Sequence, residues 1–165
     1  MVREQHAARL LLFGPDGRIL LMRLVEQSSG VGQQLWVTPG GRLEAGESVL
    51  DAAGRELFEE TGMTDASVGP VVWYGEQFLR RDGRLRFLKE RFVLARSGTA
   101  AFTDVGWTPE ERREIAEMRW WPLDELSTTS HVVKPSKLPV LLRELVSTSG
   151  EPSRNQPGVR TIDLQ

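Results

Sequence analysis

Three glutamates, Glu56, Glu59 and Glu60, fall inside a stretch that otherwise reads as a helix, and this stretch most restricts what the chain can become. Ser48 can cap a helix, and Asp51 three residues on completes a capping-box pattern. Leu50, Ala53 and Leu57 recur at helical spacing, and Gly62 follows Glu59-Glu60-Thr61 as a left-handed stop. The pattern predicts a helix over residues 49–61. At ~100° per residue the three carboxylates share an arc of about 100°, beside an apolar face that would dock on a sheet. They sit near the helix C-terminus, where the macrodipole disfavours negative charge, and like charges at i,i+4 repel by a few tenths of a kcal/mol. Helix stability therefore does not favour the arrangement. The bland alternative is an acidic, solvated face with Arg55 as a surface partner. A bound divalent cation would reverse the sign of the penalty. The glycine turn at Gly40-Gly41 and the upstream Glu47 favour the cation, and Arg55 could hold one carboxylate by a bidentate pair.

Composition narrows the chemistry further. The 165 residues include no cysteine and only two histidines, which excludes disulfides, thiolate zinc sites, cysteine nucleophiles and multi-histidine metal sites. A metal would have to take oxygen ligands, which selects hard cations such as Mg2+, with Mn2+ as the alternative. The net charge of −2 gives no global basic footprint, so no long nucleic acid is expected as a partner. No apolar run approaches the ~20 residues of a membrane-spanning helix. The first residues lack a signal pattern, so a cytoplasmic location is expected. The five tryptophans read as core, with one or two able to stack on a base or sugar.

Along the chain, residues 7–13 read as a strand, Gly14-Pro15-Asp16-Gly17 as a turn and residues 19–24 as a second strand. A flexible loop is expected at 28–32. Residues 35–37 form a short strand stopped by Thr38-Pro39-Gly40-Gly41. Residues 71–79 and 85–95 flank Asp82-Gly83 as a β-hairpin. Thr108-Pro109-Glu110-Glu111 opens another helix, with Glu111 at the capping-box position. Residues 119–121 read as a strand followed by a turn at 122–126, and Leu138, Leu141, Leu142 and Leu145 as the stripe of a last helix. Residues 1–146 then form one domain. Residues 147–165 read as a mobile tail dispensable for folding, in which 159–162 could pair as a strand. The element mix predicts an α/β (α+β) fold, a mixed β-sheet in an α/β/α sandwich, without regular βαβα order.

Gly41, five residues, Glu47, seven residues, and then Arg55-Glu56-Leu57-Phe58-Glu59-Glu60-Thr61-Gly62-Met63 resembles the Nudix box with every defining position filled. The Pro39-Gly40-Gly41 entry and the Arg119-Trp120-Trp121-Pro122 segment are also similar to Nudix domains, and the likeness covers about residues 7–146. The resemblance implies a Nudix-type sandwich and a metal-dependent pyrophosphohydrolase that cleaves a nucleoside diphosphate linked to another moiety. It also implies that Glu56 and Glu60 are metal ligands, that Glu59 is a ligand or the base, that the Gly40 carbonyl completes the coordination, and that Arg55 and Glu47 orient the site. The alternative is a Nudix-fold ligand sensor with little turnover, which would be expected to lose a box carboxylate. An isomerase of this fold would need a cysteine.

Outside the box, Glu90 shares a strand face with Leu88 and Phe92, and burying it needs a metal, an arginine or a substrate as compensation. Glu110 and Glu114 rank ahead of it as an additional catalytic acid, with Glu111 taken up by capping. Arg91 belongs to a basic cluster with Arg80, Arg81, Arg84, Arg86 and Lys89, one or two of which could meet an anionic substrate. A homodimer is compatible with exposed strand edges.

Overall fold

The computed structural model describes residues 2–25, 34–81, 83–147 and 158–165; the loop expected at 28–32 lies outside them. The strand β1 (Arg3–Phe13) organises the rest. It runs parallel to β6 (Arg84–Arg96) over its whole length, from Arg3↔Arg86 to Phe13↔Arg96. Its other edge takes β2 (Ile19–Leu24) at Phe13↔Ile19 and β4 (Gly40–Arg42) against Ala7, Ala8 and Arg9, both antiparallel. A strand flanked on both edges and buried on both faces should read as a continuous apolar run, which accounts for Leu10 to Phe13. It begins four residues before the strand expected over residues 7–13, because residues 3–6 are recruited by backbone pairing with β6 and not by hydrophobicity.

β3 (Leu35–Val37) pairs with β2, and β8 (Val132–Lys134) lies parallel to β3. β5 (Ser67–Arg81) forms the expected hairpin with β6, and β7 (Ile115–Trp121) lies along β2. With β9 (Arg160–Thr161), the path is β8-β3-β2-β1-β6-β5-β9, a mixed sheet. One face carries α1 (Val49–Thr61) through Ala52, Ala53 and Leu57, packed on Ala8, Leu10, Leu12 and Val93. The other carries Leu126 of α3 (Leu123–Thr128) and the leucine stripe of α4 (Leu138–Ser147), packed with Leu11, Phe13, Phe92 and Trp121. The expected mixed sheet between helical layers is therefore present.

Three expectations need correction. Residues 122–126 are not a turn: Leu123–Thr128 is helical, with Pro122 just ahead of it and Leu126 buried as its anchor. Leu50 does not dock; it is exposed, and Ala52 takes its place in the inward stripe. The chain beyond Ser147 is not wholly a free tail. Residues 158–165 pack, with β9 parallel to Trp73 and Tyr74 of β5 and with Ile162 and Leu164 buried in the α3/α4-side core. The alternation that buries Ile162 and Leu164 spans only a few residues, too short for a periodicity argument to register.

Packing of this kind is energetically significant, so Ile162→Ala should destabilise the fold by about 2–5 kcal/mol. At about 2–4 °C per kcal/mol, thermal denaturation would register a clear fall in Tm. A Tm within one degree of wild type would show that the segment is not docked in solution.

Candidate active site

The turn before α1 is shaped by contact with β1. Leu10 donates its amide to the Pro39 carbonyl at 2.8 Å. Gly40 takes φ +136°, and a Cβ there would stand 2.1 Å from the Ala8 carbonyl oxygen, so only glycine fits. Gly41 has a different reason to be bare: its Cβ would stand 2.1 Å from Glu56 Oε1. The backbone of β4 thus lies directly against a carboxylate of α1.

That helix starts and stops as its sequence predicts. The Ser48 hydroxyl accepts from the Asp51 amide, and Gly62 ends the helix at φ +71°. The inward stripe, however, consists of Ala52, Ala53, Glu56, Leu57, Glu60 and Thr61. Two of the three glutamates therefore lie within the buried stripe and not beside it. Glu60 is 2% exposed and Glu56 7%. Glu60 Oε2 accepts from the Gly40 amide at 2.9 Å, so Gly40 meets this carboxylate through its N–H. Glu59 sits at the half-exposed margin of the helix.

The segment after β6 folds back onto the end of α1. Trp107 Nε1 donates to the Glu60 carbonyl at 2.8 Å, and Thr103 donates its amide to the Thr61 carbonyl at 2.9 Å. Gly106 lies so close to Glu59 that a Cβ would be 2.4 Å from its carbonyl oxygen. These contacts deliver the short helix α2 (Pro109–Glu114), whose start carries a full capping box between Thr108 and Glu111. Glu111 does cap, accepting from the Thr108 amide at 2.6 Å. It also brings a carboxylate oxygen into a group with Glu56 and Glu60, all within 4.8 Å of one another. The capping pattern alone predicts that Glu111 is taken up by the helix start. A carboxylate has two oxygens and several lone pairs, so one residue can serve both purposes.

Arg55 holds the outer half of the site together. Its Nε and Nη2 grip the two oxygens of Glu47 at 2.8 and 3.0 Å, so the bidentate pair expected with a carboxylate of the helix arc forms with Glu47 instead. Nη1 reaches Glu56 at 2.8 Å and Glu59 at 3.2 Å, and Nη2 also donates to the Arg42 carbonyl at 3.0 Å. On the inner side, Arg9 Nε donates to Glu90 Oε1 at 2.5 Å, the compensation a buried Glu90 requires.

A cleft of about 750 Å³ opens over this group. Its lining includes Gly40, Arg55, Glu56, Glu60, Glu90, Glu110, Glu111 and Glu114. Arg91 is not part of it; adjacent strand residues face opposite ways, and its guanidinium lies over the Tyr74 ring at 5.1 Å. Lys89 of the same basic cluster is paired with Glu4. Four of the tryptophans are buried core residues, as expected, and Trp107 instead anchors the α2 approach.

The charges are strongly coupled. Burial pushes the Glu60 carboxyl well above its ordinary range, and the neighbouring Glu56 adds to the shift against Arg9 and the Gly40 amide. Burial likewise raises Glu56, opposed by Arg55. Hydrogen bonding from Arg55, and then from the Glu44 amide, holds Glu47 down at about 2. Burial works against the Arg9 charge, but Glu90, with Glu60 and Glu56, outweighs it and raises the pKa.

The family model described as the NUDIX domain matches residues 3–142. The chain belongs to the NUDIX domain family. Over 143 residues it is 27% identical to an RNA pyrophosphohydrolase of Novosphingobium aromaticivorans, covering 81% of this chain and 79% of that one. Over 147 residues it is 26% identical to the mutator-type protein named MutT4 of Mycobacterium tuberculosis, covering 88% of this chain. The match spans only 56% of that relative's length. A crystal structure of the MutT protein from Methanosarcina mazei Go1 superposes with a TM-score of 0.62 at 21% identity, covering 89% of this chain and 96% of that one. Among the described residues, no helix of this NUDIX chain is long and apolar enough to cross a membrane.

The buried acids make the stability of the metal-free protein pH-dependent. The folded state binds the Glu60 proton more tightly than the unfolded chain, whose carboxyl keeps an ordinary value near 4.5. This contribution is fully present below 4.5 and is lost as pH rises through the raised pKa. Tm without added metal should therefore fall over that window. Glu60→Gln keeps the acceptor for the Gly40 amide, so it should flatten the fall and raise Tm at neutral pH by a few degrees. Parallel wild-type and Glu60→Gln melting profiles would refute this account.

Proposed function

We propose that this protein is a metal-dependent pyrophosphohydrolase that cleaves a nucleoside diphosphate linked to another moiety, with Mg2+ or Mn2+ as its cofactor and the cytoplasm as its setting. The observation that carries the reading is the meeting of Glu56, Glu60 and Glu111 within 4.8 Å in the cleft, two of them buried. Carboxylates brought this close repel one another, and an all-oxygen donor set suits a hard divalent cation. In this reading Glu56, Glu60 and Glu111 hold the ion, with Glu59 at the margin of the group. When bound, such an ion neutralises charge on the diphosphate oxygens.

The chain's own groups supply the rest. Arg55 fixes Glu47, Glu56 and Glu59 in one hydrogen-bonded frame, so the carboxylates keep their positions when a polyanion enters. The Gly40 amide orients Glu60. Glu110 and Glu114 line the cleft from α2, so we assign the general base to this segment, with Glu59 next in order. Glu90, paired with Arg9, serves to place that guanidinium beside Glu60 and Glu56 and not to move a proton.

A panel of nucleoside triphosphates and their 8-oxo forms, nucleotide sugars, ADP-ribose and dinucleoside polyphosphates, assayed with Mg2+, tests the reading. So does a 5′-triphosphorylated RNA, included because one relative is an RNA pyrophosphohydrolase. At least one member should be hydrolysed at a phosphoanhydride bond. Glu56→Gln should reduce kcat by about a hundredfold or more, since the charge stabilisation removed is worth several kcal/mol. Binding of panel members without turnover would instead identify a ligand sensor. Full turnover in excess chelator would remove the metal from the account.

A further inference from the structure

The sheet path runs from β8 at one end to β9 at the other, yet the two ends meet through the last described residues. Arg160 and Thr161 pair with Trp73 and Tyr74 on the outer edge of β5, and the Ile162 amide donates to the Tyr74 carbonyl at 2.8 Å. Three residues later the Gln165 main-chain oxygen accepts from the Ser136 amide at 3.0 Å and from the Ser136 hydroxyl at 2.6 Å. Ser136 follows Lys134 and Pro135, which line the cleft from the β8 side. Residues 160–165 therefore bridge the two ends of the curled sheet.

Between these anchors lies Leu164, 4% exposed and part of the cleft lining. Its place is made by Gly75, where a Cβ would stand 2.6 Å from the Leu164 side chain. Gly75 is directly opposite Glu90 in the β5–β6 ladder, and opposed residues of an antiparallel pair share a face. The position beside Glu90 that a β5 side chain would fill is thus occupied by Leu164. Neighbouring strands lie about 4.8 Å apart, so this leucine sits within one side chain's reach of the Arg9–Glu90 pair. The segment lies wholly beyond residue 142, where the family match ends.

We propose that residues 160–165 form the end wall of the substrate cleft, and that Leu164 sets how large a group beyond the diphosphate is admitted. This rests on the hydrolase reading above for its substrate class. Leu164 is a specificity-determining residue in this account and takes no part in the chemistry.

The test is the ratio of KM values for diadenosine tetraphosphate, ADP-ribose and ATP in wild type, Leu164→Ala and Leu164→Phe. Dissociation constants for the same three nucleotides are measured by calorimetry with Ca2+ in place of Mg2+. Opening the wall should favour the bulkier members over ATP by about tenfold in Leu164→Ala, and narrowing it should disfavour them in Leu164→Phe. For each productive substrate kcat should stay within about threefold. A merely structural role would lower Tm without separating the substrates. Should Leu164→Ala not fold, Gly75→Ala displaces the same side chain and should also shift the ratio. Ratios unchanged within twofold in every folded variant would overturn the proposal. Binding without turnover in wild type would overturn the hydrolase reading while the ratios of dissociation constants still decide the wall, and binding of none of the three would overturn both.

Discussion

The structure depends on two carboxylates placed where a helix normally puts leucine. Glu56 and Glu60 occupy the inward stripe of α1, a position that ordinarily costs several kcal/mol per unpaired charge. Much of the surrounding architecture compensates for that choice. Gly41 gives Glu56 room, the Gly40 amide binds Glu60, Arg55 braces Glu56 from outside and Arg9 balances the pair from within. Replacing either glutamate with leucine would suit the core and remove the site.

A second consequence concerns the loop before α2. Its tryptophan and glycine are fixed on the C-terminal end of α1, and through them Glu111 arrives beside Glu56 and Glu60. Carboxylates from two elements meet because one element is tied to the backbone of the other. The cluster is thereby set by contacts made to the main chain of α1.

The sequence made much of this legible, and the omissions have physical causes. The bounds of α1, the hairpin and the leucine stripe of α4 follow from caps, turn residues and apolar spacing, all local signals. Arg55, Glu47, Glu56, Glu60, Glu110 and Glu114 were all drawn from the sequence, and all but Glu47 line the cleft, which Glu47 joins through Arg55. Three features were not legible. Glu111 carries a local signature, the capping box, that hides its long-range neighbours. Arg9 lies in an apolar strand and acquires meaning only from its pairing with Glu90, 81 residues away. A strand near 159–162 was legible, but the docking of residues 160–165 on β5 and Ser136 was not, because contacts so distant leave no period in the sequence.

The central claim is that Glu56, Glu60 and Glu111 act together on one divalent cation. Its most direct test is an electron paramagnetic resonance titration of Mn2+ into the wild-type protein and into Glu111→Gln, at neutral pH and without nucleotide. The account predicts saturable binding in wild type and a tenfold or greater loss of affinity in Glu111→Gln, whose side-chain amide oxygen can still accept from the Thr108 amide while the Thr108 hydroxyl caps α2. Equal Mn2+ affinity in the two proteins would contradict it.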